Sequence, residues 1–69
     1  MKAIALDDER PALDVIEAFC NRMEAVELVK TFIRTGEARL YLETNPVDLI
    51  FLDINMPKES GLDFFKSIT

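Results

Sequence analysis

The sequence predicts an α/β fold, in which a small parallel sheet carries helices on its faces. Short apolar runs that resemble buried strands alternate with segments whose apolar residues recur at three- and four-residue spacing, as in amphipathic helices. The pattern reads strand then helix three times over, and such alternation is typical of parallel sheets with right-handed crossovers. Acidic residues stand directly after two of the apolar runs, where open α/β sheets place their chemistry.

The first strand is predicted at Lys2–Leu6, an apolar run near the start of the chain. A helix is expected from about Pro11 to Met23, because proline suits the first helical turn and an apolar stripe follows it. Cys20 lies on that stripe and is expected in the core. The second strand is predicted at Val26–Phe32, where apolar and polar residues alternate and β-branched types are common.

Thr35 is expected to cap a second helix, because threonine is favoured at the position that precedes the first helical residue. This helix should run from about Gly36 to Glu43. The Asn45-Pro46 pair should end it, since the residue before a proline avoids helical backbone angles.

The third strand is predicted at Val47–Leu52, and its four consecutive apolar residues predict burial on both faces, as in a central strand. The segment Asp53–Glu59 is expected to be a loop, followed by Ser60 as the cap of a third helix. Phe64 and Phe65 are adjacent in that helix, so one should face the core while the other meets a partner or a further element.

The size and composition of the chain exclude several classes of protein. Sixty-nine residues form at most one small domain, and the single cysteine allows no disulfide framework. Histidine is absent, which removes histidine-based catalysis and histidine metal ligands. The net charge of −5 argues against nucleic-acid binding by this segment. No apolar run could span a bilayer and no signal peptide is visible, so a soluble, cytoplasmic protein is expected.

The acidic residues that follow two strands define the candidate site. Asp7 and Asp8 follow the first strand, and Asp53 follows the third. In a parallel sheet these three carboxylates would emerge at one edge, where their mutual repulsion calls for a cation or for protons. Without further information, acids that merely favour the start of a helix would be the simpler explanation for the first pair.

The amino-acid sequence of these segments closely resembles that of the receiver domain of bacterial two-component response regulators. Two segments carry the resemblance. They are Asp7-Asp8-Glu9 after the first strand, and Leu52-Asp53-Ile54-Asn55-Met56-Pro57 with Gly61 after the third. Paired acids alone carry little information, whereas Asp-x-x-Met-Pro-x-x-x-Gly at this separation is specific. The resemblance covers the whole chain. It implies a flavodoxin-like (CheY-like) doubly wound parallel sheet, represented here by three strand–helix units with strand order 2-1-3.

The resemblance also implies roles for individual residues. The aspartate that accepts a phosphoryl group from a histidine kinase corresponds to Asp53. The acids that help to bind Mg²⁺ correspond to Asp7 and Asp8, and the backbone carbonyl of Asn55 corresponds to a further metal ligand. Asp8 and Asp53 would contact the metal directly and Asp7 would act through water, which suits a cation that takes few carboxylates. Such a domain is a regulatory phospho-acceptor rather than an enzyme.

Three further residues of the motif are expected to shape the loop after the acceptor. They are Met56, Pro57 and Gly61, and the glycine is expected to supply conformational freedom where the loop turns into the third helix. The sequence of this region is also similar to that of regulators that carry a LytTR-type DNA-binding output domain, and this resemblance implies a role in transcription.

Complete receivers have five strands, with a serine or threonine after the fourth and a lysine after the fifth. Neither position falls within residues 1–69, so these residues are expected to be a partial receiver domain without the fourth strand to the fifth helix. They would hold the acidic half of the pocket, and phosphorylation of this segment alone is expected to be impaired. In the order 2-1-3 the third strand is an edge, which predicts a homodimer or higher oligomer through that edge.

Two other functions use the same residues. A metal-dependent phosphotransferase or phosphatase of the haloacid-dehalogenase type would also use an aspartyl nucleophile. It would need a second aspartate two residues later as general acid, and Asn55 occupies that position. A pseudo-receiver that only binds proteins is the third possibility, and retention of all three carboxylates weighs against it.

Overall fold

Three strands and three helices alternate along the chain in the computed structural model, which describes residues 1–69. The strands form one parallel sheet in the order β2-β1-β3. This arrangement confirms the predicted fold class and strand order. The strands are β1 (Lys2–Leu6), β2 (Glu27–Phe32) and β3 (Leu49–Leu52), and the helices are α1 (Arg10–Cys20), α2 (Thr35–Thr44) and α3 (Gly61–Ile68).

The central strand β1 divides the core into two parts. Ala3, Ile4, Ala5 and Leu6 are completely buried, and alternate side chains point to opposite faces of the sheet. Ile4 and Leu6 belong to the larger cluster, which also contains side chains from β2, α2, α3 and the loop before α3: Phe32, Ala38, Met56 and Phe64. Ala3 belongs to the smaller cluster, in which Cys20 of α1 is buried as predicted.

Helix boundaries differ from the sequence expectations chiefly at the end of α1 and at the start of α2. Helix α1 ends at Cys20, so Met23 lies in the turns that lead to β2. The prediction that Thr35 caps α2 is wrong. Thr35 is the first helical residue, and Arg34 stands at the capping position without a side-chain cap hydrogen bond. Propensity favours threonine as a cap, but the extended backbone that leaves β2 continues through Arg34 before the helix begins.

Strand β3 is shorter and more exposed than its apolar sequence predicts. Ladder pairing starts at Leu49, and all four residues are only half-buried, because β3 pairs with β1 alone and lies at the edge of the sheet. Just before the strand, Asp48 forms two hydrogen bonds with Lys2, both at 2.8 Å. Its amide donates to the carbonyl of Lys2, and its side-chain Oδ2 accepts from the amide of Lys2. Burial on both faces is therefore not found.

Helix α3 begins as predicted. The Ser60 hydroxyl accepts a hydrogen bond from the amide of Asp63 at 3.1 Å, which caps the helix. Phe64 is fully buried while Phe65 is 49% exposed, so one ring faces the core and its neighbour lies toward the surface. None of the three helices has the length and apolar character needed to cross a bilayer.

Candidate functional site

The three aspartates of the predicted site lie together at the carboxyl edge of the sheet. The amide of Asp7 donates to the carbonyl of Phe32, and the amide of Asp53 donates to the carbonyl of Leu6, each at 3.1 Å. These bonds extend the two ladders by one residue and fix where each aspartate leaves the sheet. The carboxylates of Asp7, Asp8 and Asp53 each offer an oxygen within 4.8 Å of the other two. The sequence therefore identified the cluster, whereas the roles of its members stay predictions.

Short local hydrogen bonds orient two of the carboxylates. Oδ1 of Asp7 accepts from the amide of Glu9, and Oδ1 of Asp53 accepts from the amide of Asn55, both at 2.9 Å. An aspartate that bonds the backbone two residues later restricts its own rotamer. Asp7 and Asp53 are half-buried and Asp8 is exposed, so the cluster is open to water on one side.

The cluster carries electrostatic strain. Burial raises the pKa of the Asp7 carboxyl, the charges of Asp53 and Asp8 raise it further, and the hydrogen bond from the Glu9 amide acts in the opposite direction. A raised pKa means that the folded protein binds this proton more tightly than the unfolded chain does. Ionised Asp7 is therefore less favourable in the folded protein than in the unfolded chain. Folding is favoured at low pH, where Asp7 is protonated, and this advantage is lost as the pH rises through the pKa of the folded state.

The donor set fits a hard divalent cation. Three carboxylates on one open edge provide oxygen ligands, and a cation placed among them would relieve the repulsion that raises the pKa of Asp7. Magnesium commonly binds one or two carboxylates and keeps several waters, for which the exposed side of Asp8 leaves space. Asn55 is exposed, two residues beyond Asp53, and its carbonyl stays a predicted ligand.

The loop that follows Asp53 is anchored in the core by Met56. This side chain is 8% exposed and packs in the larger cluster, while Pro57 and Lys58 on its far side are exposed. A cleft of about 490 Å³ opens beside Asp8, between this loop and the start of α2. Its lining carries both charge signs: Asp8, Ile33, Arg34, Thr35, Gly36, Met56, Pro57, Lys58 and Glu59.

Gly61 is required for a reason that differs from the expected one. Its φ is not positive, so conformational freedom is not what the position demands. A Cβ at Gly61 would instead collide with the backbone carbonyl of Asp53, at 2.9 Å from the carbonyl carbon, and would lie 3.1 Å from Cα of Ile54. The absence of a side chain thus lets the first residue of α3 pack directly against the backbone that carries Asp53.

Sequence reasoning missed an ion pair next to the site. Nη2 of Arg39 in α2 donates to both carboxylate oxygens of Glu59 in the loop, at 2.9 and 2.7 Å. Hydrogen bonding from Arg39 is the main reason why the pKa of Glu59 is lowered. The two residues are 20 positions apart on different elements, so no local pattern could have indicated the pair.

The sequence of this chain is similar to those of known proteins. The family model described as the response regulator receiver domain matches residues 3–69. Sensory transduction protein LytR of Staphylococcus epidermidis is 37% identical over 68 residues, which are 99% of this chain and 27% of that protein. Transcriptional regulatory protein NatR of Bacillus subtilis is 35% identical over 63 residues, which are 91% of this chain and 27% of that protein.

The fold is similar to that of a solved receiver. The crystal structure of the response regulator domain of Thermotoga maritima CheB superposes with a TM-score of 0.86 at 22% identity, over 99% of this chain and 51% of that chain. The chain therefore spans about a quarter of the length of the two curated relatives and about half of the solved domain.

Proposed function

Because the chain belongs to the response regulator receiver domain family, we propose that Asp53 accepts a phosphoryl group from a histidine kinase and thereby regulates an output. The observation that carries this proposal is the meeting of Asp53 with Asp7 and Asp8 at one edge of the sheet. The domain would act in the cytoplasm as a phospho-acceptor and not as an enzyme. Relatives named as transduction and transcriptional regulatory proteins support transcription as the regulated process. The output would be the LytTR-type DNA-binding domain that the sequence resemblance implies.

The chemistry assigned to Asp53 is nucleophilic attack on phosphorus. One carboxylate oxygen is held by the amide of Asn55, and the other is available to form the new P–O bond. The bond between phosphorus and the histidine nitrogen of the donor breaks, and its electron pair stays on that nitrogen. Mg²⁺ held by Asp7, Asp8, Asp53 and the Asn55 carbonyl would supply the positive charge that offsets repulsion between carboxylates and phosphoryl oxygens.

Phosphorylation can be tested directly with a small phosphodonor. We expect a full-length protein that carries residues 1–69, incubated with acetyl phosphate and Mg²⁺, to gain the mass of one phosphoryl group, whereas phosphorylation of residues 1–69 alone is expected to be impaired. Asp53→Asn should abolish the gain, since an amide is not a competent nucleophile. Asp14→Asn is the matched control, because Asp14 is an exposed acid of α1 outside the cluster. No added phosphate on the full-length protein, or an equal gain in Asp53→Asn, would contradict the assignment, and release of many phosphates per chain would favour the phosphatase alternative.

We further propose that the free edge of β3 pairs with a second copy of the chain in antiparallel fashion about a two-fold axis. The outer edge of β3 has no strand partner, and unpaired backbone groups beside apolar side chains favour pairing. A mostly apolar groove of about 530 Å³ runs along it, lined by Leu42, Pro46, Val47, Asp48, Leu49, Ile50, Leu52, Phe65, Ile68 and Thr69.

Self-association is expected to appear in light scattering at micromolar concentration. Phe65→Glu should shift the protein to monomer, because it places a charge in the groove. The replaced ring is 49% exposed, so the substitution does not remove a buried side chain. Leu62→Glu is the control, since Leu62 is 60% exposed on the same helix and does not line the groove. A monomeric wild type would contradict the proposal, and protected β3 amides in that monomer would show that another segment of the protein covers the edge.

A further inference from the structure

One guanidinium connects the loop after Asp53 to the two helices α2 and α3. Arg39 lies on α2, and its Nη2 binds the Glu59 carboxylate of the loop through two hydrogen bonds. Its Nε donates to the hydroxyl of Ser67 on α3 at 3.0 Å. The same group stacks on the ring of the buried Phe64, with 5.1 Å between Cζ and the ring centroid. We call this set of contacts the Arg39 clamp.

The loop has few other restraints in its second half. Its first half is fixed by the ladder bond of the Asp53 amide and by burial of Met56. Pro57 and Lys58 are exposed, so the path back to α3 is set by Glu59 and by the cap at Ser60. The Glu59 carboxylate accepts two hydrogen bonds from Arg39, and the side chain of Thr35 on the same helix acts on it more weakly, so the clamp is the main contact that ties this end of the loop to α2.

Movement at Glu59 would reach the acceptor through backbone contact. Glu59 is two residues before Gly61, which packs directly against the carbonyl of Asp53. That close approach tolerates little displacement, because even a Cβ would collide with the backbone there. The position of α3 relative to Asp53, and with it the path of the loop through Asn55, is therefore coupled to the geometry of the clamp.

We propose that Arg39 is a positioning residue: through Glu59 it holds the loop so that the Asp53 carboxylate and the Asn55 carbonyl face the cation site. The inference rests on the function proposed above only where it invokes the cation. Nη2 of Arg39 donates to both oxygens of the Glu59 carboxylate while Nε donates to Ser67, so the planar guanidinium is held in direction as well as distance, which suits a positioning role. Both side chains are partly exposed, at 37% and 26%, so the clamp contributes little to global stability and its effect is local.

Amide hydrogen exchange of the intact, metal-free protein tests the clamp independently of any activity. Arg39→Gln and Glu59→Gln should each accelerate exchange in residues 54–60 by roughly two- to fivefold, the range that a partly exposed ion pair allows. Exchange in β1 should not change, which also shows that the variants fold. Arg39→Lys should restore little, because an ammonium lacks the planar fork that reaches Glu59 and Ser67 together. Unchanged loop exchange in Arg39→Gln would overturn the proposal.

A magnesium titration separates positioning from simple charge effects. If the clamp positions the loop, Arg39→Gln and Glu59→Gln should both weaken Mg²⁺ binding, and the double variant should be no weaker than either single variant. If only charge acted, loss of the arginine would strengthen binding and loss of the glutamate would weaken it, additively, which would overturn the proposal. Arg34→Gln is the charge-matched control, because Arg34 lines the same cleft without an ion pair.

The two proposals fail in distinguishable ways. A wild type that binds no Mg²⁺ while its loop exchange still depends on Arg39 would contradict the proposed function and leave the clamp in place. A wild type that binds Mg²⁺ and accepts phosphate, but whose loop exchange and Mg²⁺ affinity ignore Arg39→Gln, would contradict the clamp alone.

Discussion

Gly61→Ala is expected to destabilise the protein by about 1–3 kcal/mol, the usual cost of forcing extra atoms into a packed site. The added Cβ would lie 2.9 Å from the carbonyl carbon of Asp53 and 3.1 Å from Cα of Ile54. These are backbone atoms next to a strand, so they cannot rotate away as the end of a long side chain could. Helix α3 would have to move outward, and the Asp53 carboxylate would move with its backbone. Urea unfolding should show the loss of stability, and acetyl phosphate labelling should fall with it.

Gly36 provides the matched control for this substitution. It is the second residue of α2, and a Cβ built there meets no atom within 4 Å. Gly36→Ala should therefore be neutral or stabilising by up to about 1 kcal/mol, since alanine is the better helix former. Equal effects of the two substitutions would show that close packing at Gly61 is not a constraint.

Features that depend on local sequence could be predicted well. The order of strands and helices follows from apolar periodicity, and the Ser60 cap follows from a side chain that bonds an amide three residues later. The acidic cluster could also be predicted, because parallel strands bring their carboxyl ends to one edge whatever lies between them. The strands, helices and cap depend on patterns within a few residues. The acidic cluster depends only on the strands being parallel.

Features that depend on distant partners could not be predicted. The apolar run of β3 indicates a strand but does not by itself show an edge, since a half-buried edge and a buried centre can have the same composition. The edge position followed only from the strand order that the family resemblance implies. A glycine at position 61 predicts an unusual backbone conformation, but its φ is not positive. Only the close approach of α3 to Asp53 shows that the position has no room for a Cβ. The pairing of Arg39 with Glu59 depends on how α2 packs beside the loop, which no spacing in the sequence encodes.

Phe64→Ala is expected to have the largest effect on stability. The ring is fully buried in the larger core cluster, together with Ile4, Leu6 and Met56. Removing a buried phenylalanine costs about 3–5 kcal/mol, because transfer energy is lost and a cavity remains. At typical values of about 0.05–0.15 kcal/mol per residue, a domain of this length has a total stability of about 3–10 kcal/mol. The variant should therefore lose much or all of its cooperative unfolding transition in urea.

Phe65 tests whether burial, rather than aromatic content, causes this loss. It is the next residue of the same helix, and 49% of it is exposed, so Phe65→Ala should cost far less than Phe64→Ala. Phe64 also underlies the site, because Met56 anchors the loop in the same cluster and the guanidinium of Arg39 stacks on the Phe64 ring. At temperatures where Phe64→Ala remains folded, its loop amides should exchange faster than those of Phe65→Ala. Similar unfolding midpoints for the two variants would mean that the core does not depend on the orientation that the helix gives to these rings.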